Sequence, residues 1–185
     1  MILSLFRKDP SREAAGPLFP AAVEQARRPV FYRDFAVADT VEGRFEMLSL
    51  HVWLVMRRLK GAQTGRLSRQ GLEAYFSNLD GALREMGVGD LVVGKKIRAL
   101  GEAFYGRIGA YDRALGEGGN AESLAAALSR NIFEAIDAPT APALARYVSV
   151  ADKALLEQSL ARISAGVIRF PEPDTAAQTA QAGDV

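Results

Sequence analysis

Residues 41–60 leave almost no side of a helix for water. Val41, Phe45, Leu48, Val52, Val55 and Leu59 follow alternating four- and three-residue steps, one apolar stripe of a helix. Met47, Leu50, Trp53, Leu54 and Met56 fill the remaining directions. A helix apolar on nearly every face has to be enclosed by other elements, so this one is read as the central helix of the fold. Asp39 is its expected N-cap, with Glu42 three residues on as the capping-box partner. Its basic end, Arg57, Arg58 and Lys60, must face water or a partner.

The rest of the chain supplies helices to surround it. One is expected from Pro17 to Arg28, followed by Val30–Val37 as an extended stretch or a short helical turn. Leu72, Phe76, Leu79, Leu83 and Met86 form a stripe that Gly87 can end as a left-handed C′ residue, with Gly89 and Asp90 completing the turn and Asp90 capping the next helix. Ile97, Leu100, Phe104, Ile108, Tyr111 and Leu115 mark that helix as another long one. Asn120 begins a shorter one to Phe133, and Thr140 with Pro142 begins the last, to Ser164, which Gly166 stops. No run alternates with the period of a strand. The expectation is therefore all-α: a single bundle of six or seven helices over residues 1–170, its core including Leu48, Val52, Val55, Phe76, Leu83, Phe104 and Ile108. A tail from 171 to 185, rich in Ala, Gln, Pro and Asp, is expected to be disordered.

Composition narrows the chemistry. The 185 residues contain no cysteine and one histidine, His51, which excludes disulfides, thiolate zinc sites and multi-histidine metal centres. Lys and Arg total 23 against 22 Asp and Glu, so nucleic-acid binding would rest on a local patch, and no specific DNA binding is expected. The start, MILSLFRKDP, lacks the charge order and length of a secretory signal, and no run reaches the ~18 apolar residues that span a bilayer.

Gly89–Lys96 contains the G-x-x-x-x-G-K portion of a phosphate loop, but Lys96 stands where Ser or Thr should hold magnesium, and a helix precedes it where the motif needs a strand. The reading that prevails is a turn and the start of the next helix. His51 lies among Met47, Leu48, Leu54 and Val55, and is by default a satisfied core or groove histidine. No G-x-S-x-G elbow is present and Glu42 and Glu46 read as solvated helix residues, so no catalytic residue and no cofactor is assigned. Arg57, Arg58, Lys60, Arg66 and Arg69 occur without an intervening carboxylate, and Lys95, Lys96 and Arg98 join them if the two loops share one end. Two readings stand: a solvated basic loop favoured by the helix C-terminus, or a docking face for RNA, a ribosome or an anionic membrane.

Phe31-Tyr32, DTVEGRFEMLSLHVWLVMRRLK, LREMGVGD and KKIRALGEAFYGRIGAYDRAL together resemble the ubiquinol–cytochrome c chaperone family over about residues 29–133. The resemblance implies a non-catalytic assembly factor for the cytochrome bc1 complex that binds newly made cytochrome b or an early intermediate. Its relatives work with a small partner protein near the ribosome. Without a transit peptide or anchor the chain is similar to the bacterial branch, which implies a cytoplasmic protein, peripheral at the inner membrane. Expected client- or partner-binding residues are Phe31, Tyr32, Arg44, His51, Arg57, Arg58, Lys60, Lys95, Lys96, Phe104 and Tyr105. The alternative is an RNA- or ribosome-binding helical module using a local basic face.

Overall fold

The computed structural model describes residues 18–61, 65–116 and 118–173, and among them there is helix but no strand. Six helices of nine or more residues are α1 (Leu18–Ala26), α3 (Val41–Gly61), α4 (Gly65–Glu85), α5 (Asp90–Leu115), α6 (Ala121–Ile132) and α7 (Ala141–Glu157). Two five-residue segments, α2 (Pro29–Arg33) and α8 (Leu160–Ser164), complete the all-α fold expected from the periodicity.

α3 is enclosed on opposite sides. Met47, Leu50, Trp53 and Leu54 pack with Leu124 and Leu128 of α6 and Leu144 and Val148 of α7. Val52, Val55, Met56 and Leu59 pack with Tyr75 of α4, Phe104 of α5 and Ile163 of α8. Each fully buried large apolar side chain contributes roughly 1.5–3 kcal/mol, an upper bound because the unfolded chain is partly collapsed. Of the expected core, Val52, Val55 and Phe104 are fully buried, Leu48, Phe76 and Ile108 pack at the margin, and Leu83 is half-buried. Val41, at the start of the stripe, is 59% exposed.

Helix ends follow local chemistry, with three corrections. The cap of α3 is Thr40: the Gly43 amide donates to its Oγ1 at 3.1 Å, while Asp39, one residue further out, forms an ion pair with Arg44. Asp90 is the first residue of α5 rather than its cap. Gly89 holds the cap position in extended backbone, and Asp90 forms an ion pair with Arg84. The last predicted helix is two, because Gln158 turns extended and its amide brackets the Arg169 backbone with bonds of 2.7 and 2.9 Å. Asn120 caps α6 as expected, in a reciprocal box with Ser123. Gly87 has φ of 85°, with Gly87 N–H donating to Arg84 O and Val88 N–H to Leu83 O, the paired bonds of a Schellman ending. Pro171 and Glu172 pack back on α1 and the Arg28 that follows it, through Gln25 to Pro171 O and an Arg28–Glu172 ion pair, and Pro173 is buried, so packed structure runs three residues into the expected tail. Residues 174–185 lie outside the described residues.

One buried polar chain ties four segments together. The Met47 carbonyl can only accept, so His51 Nδ1–H donates to it at 2.7 Å and Nε2 accepts from the Tyr147 hydroxyl at 2.8 Å. Gln25 donates to Tyr147 Oη at 3.0 Å and to Pro171 O at 3.1 Å. Phe31, Tyr147 and Phe170 enclose the imidazole with ring centroids 5.2–5.7 Å away. Burial pushes the His51 pKa down to about 4, against a smaller opposing effect of its bond to Met47.

Between pH 6.5 and 4 the unfolded chain therefore binds a proton at His51 that the folded chain refuses. Stability should fall as pH drops through this window, by up to roughly 3 kcal/mol from this group. Urea denaturation at several pH values checks it, and His51→Gln should flatten the slope there. Glycine substitutions give a second test. A Cβ on Gly43 would stand 2.0 Å from the Ala38 carbonyl oxygen, and Gly87 has a left-handed φ in open space. Gly43→Ala should therefore destabilise despite the ~1 kcal/mol helix-propensity advantage of Ala. Gly87→Val should lose roughly 1–2 kcal/mol, whereas Gly89→Ala, in ordinary extended backbone, should lose less.

Candidate functional site

α1, the first turns of α3, α4 and the first half of α5 do not close on one another. They leave a groove of about 1210 Å³ whose walls include Val23, Val41, Phe45, Leu79, Leu83 and Leu100. Treated as a cylinder 10–12 Å across, a guest α-helix of that volume would have roughly two to three turns. Phe45, Leu79 and Leu83 are each only partly buried and turn their remaining surface to the groove.

Its polar lining includes Glu46, Arg107, Tyr75, Arg44, Lys96 and Glu134. Glu46 is buried and bonded to Arg107 Nε, which corrects its reading as a solvated residue. Burial pushes its carboxyl pKa up, the Arg107 guanidinium opposes this, and the Glu134 charge adds to the rise. Glu134 is presented at a positive φ of 51° by a turn wound on buried Ser129, whose hydroxyl donates to Ala135 O and accepts from Ala138 N–H. Tyr75 Oη lies 2.9 Å from Ser49 Oγ. Tyr32 forms part of the wall: its hydroxyl donates to Ala26 O at 2.7 Å, and Arg44 stacks 5.7 Å from its ring while bonded to Asp39.

The structure sorts the expected site residues into three groups. Tyr32, Arg44 and Lys96 line the groove. Phe31, His51 and Phe104 are wholly buried, part of the scaffold beneath it rather than a contact surface, and Tyr105 is exposed on α5 outside the lining. Arg57 and Arg58 work inside the fold. Arg57 bonds to Asp112, Asp152 and Leu115 O, while Arg58 donates to Leu155 O and Gln158 O, satisfying carbonyls at the end of α7. Lys60 is 80% exposed with Asp112 at 3.7 Å.

The two basic clusters also lie far apart. α5 runs parallel to α3, because Arg107 meets Glu46 and Asp112 meets Trp53 and Arg57. Lys96 is therefore about 24 Å along α5 from Asp112 and the Arg57–Lys60 end. No single basic face forms from these residues, and Lys95 and Lys96 belong with the groove end of the bundle. The Glu46–Arg107 pair had one sequence signal, a carboxylate flanked directly by Phe45 and Met47.

The family model described as ubiquinol-cytochrome C chaperone matches residues 33–170, extending past the 29–133 stretch that carries the sequence resemblance. The chain is 28% identical over 124 residues to ubiquinol-cytochrome-c reductase complex assembly factor 1 of Xenopus laevis, covering 65% of this chain and spanning 60% of that relative's length. It superposes on the crystal structure of the Cbp3 homolog from Brucella abortus with a TM-score of 0.77 at 40% identity, covering 94% of this chain and 98% of that one.

The buried pair in the groove makes a sharp prediction. Arg107→Ala leaves Glu46 without its cation and should destabilise by roughly 2–3 kcal/mol, below the range for a fully buried pair because Arg107 is partly exposed. Adding Glu46→Gln should restore part of the loss, read as a positive coupling in urea denaturation of the four-member cycle.

Proposed function

The chain belongs to the ubiquinol-cytochrome C chaperone family, and from that we propose that it is a non-catalytic assembly chaperone for the cytochrome bc1 complex, receiving newly made cytochrome b or an early intermediate in the α1–α3–α4–α5 groove. The observation that carries this reading is the open groove of about 1210 Å³ with its largely apolar walls. A segment of an unassembled membrane protein must hide its apolar side chains from water, and laying one face into such a groove is a general way to do so. The Glu46–Arg107 pair fixes the floor, and the ring of Tyr32 under Arg44 fixes one wall.

Deleting the gene, in cells without a compensating homologue, should lower both assembled bc1 complex and cytochrome b. Unchanged levels of both would defeat the assembly role. A photo-crosslinker at Leu83 should capture cytochrome b. Met86→Glu with Leu100→Glu should weaken that capture by about tenfold or more, the effect of losing one apolar anchor of ~1.5 kcal/mol, while leaving the helical fold intact.

A further inference from the structure

The α4–α5 hairpin ends in an apolar tip that nothing in the fold covers. Leu91 is 99% exposed, Met86 62% and Val92 48%, with Val88 half-buried between them. Scattered exposed apolar residues are ordinary, but these four share one turn and the first turn of α5. Lys95, Lys96 and Arg98 are exposed just behind them and form no ion pair among the described residues. Arg84, in contrast, is bound to Asp80 and Asp90. Glu85 is the other carboxylate at the tip, so residues 84–98 carry a formal charge of +2.

We propose that this tip is a membrane-docking element, which inserts Leu91, Val92 and Met86 into the surface of an anionic bilayer with Lys95, Lys96 and Arg98 on the lipid phosphates. Spacing favours lipid as the occupant. Lys95 and Arg98 follow Leu91 by four and seven residues on one stripe of α5, about 6 and 10 Å behind it along the axis. Interfacial apolar groups sit ~5–10 Å into the headgroup–acyl boundary, so with α5 end-on the cations reach phosphate level as Leu91 reaches the acyl chains. No helix of the described residues is long and apolar enough to cross the bilayer, so the contact is with its surface. Val93 and Phe104, on the inward face of α5, are buried and hold the hairpin to the body, so insertion requires no unfolding.

The groove ends at the same place, since Met86, Val88 and Lys96 also line it. Resting on the proposed function, this orientation would let an apolar segment pass between groove and bilayer without crossing water. The docking itself stands independently of that reading.

The chain has no cysteine, so Leu91→Cys and Leu156→Cys each accept a single polarity-sensitive fluorophore, at the tip and at the opposite end, where Arg58 meets Leu155. The full chain should co-sediment with mixed phosphatidylcholine–phosphatidylglycerol vesicles and far less with phosphatidylcholine alone. The label at 91 should shift to the blue and the label at 156 should not. Lys95→Gln, Lys96→Gln and Arg98→Gln should each weaken partitioning about fivefold, and Leu91→Ser with Val92→Ser should weaken it without altering the circular dichroism spectrum. No co-sedimentation, equal shifts of both labels, or binding indifferent to Leu91 and Val92 overturns the proposal. So does RNA binding that depends on the same cations while vesicles are ignored, or a dimer that Leu91→Ser dissociates with no effect on vesicles. Failure here, with cytochrome b still captured at Leu83 in detergent, removes the tip and leaves the groove.

Discussion

A helix with no solvated face has to be covered on both sides, and α3 imposes that condition on everything around it. One side is closed chiefly by α6 and α7, the other by α4 and α8, while α1 and α5 reach both, so the fold consists of two apolar clusters joined through α3. Neither cluster closes without α3, because each takes four of its large buried side chains from it. Helices of this length are marginal alone, and their stability is tertiary.

Enclosing α3 brings polar atoms inside with it, and the structure satisfies them in chains that run between distant segments. Gln25, Tyr147, His51 and Met47 form one line across the cluster that α3 shares with α6 and α7, and Pro171 attaches the end of the described chain to it. At the C-terminal end of α3, Arg57 and Arg58 hold the ends of α5 and α7 by their carboxylates and terminal carbonyls. Buried donors without acceptors are costly, so these bonds specify which helix lies where more than they add net stability.

The two ends of the bundle differ as a result. One is clamped, its arginines occupied by Asp112, Asp152 and backbone oxygens. The other is open: α3 begins with exposed Val41, the groove runs beneath it, and the α4–α5 turn carries uncovered apolar residues beside the exposed Lys95 and Lys96. The left-handed Gly87 fixes the direction in which the hairpin leaves α4, and so the position of that surface.

Properties of single segments were legible in the sequence. The apolar stripes predicted the helices, α3 as their centre, the end of α4 at Gly87 and the Asn120 cap, because periodicity and capping depend on neighbours within one or two turns. The family resemblance was legible for the same reason, resting on contiguous motifs. Beyond the reach of the sequence was the company each side chain keeps. Phe31 and Phe104 are as aromatic as Tyr32 and Tyr105, yet the first two are core, Tyr32 is groove wall and Tyr105 is surface. Arg57 and Lys96 carry the same charge, but one meets Asp112 and Asp152 and the other faces an open groove. A charge acts through the groups within a few ångströms of it, and only the packing of α3, α5 and α7 brings residues so distant in sequence to that range.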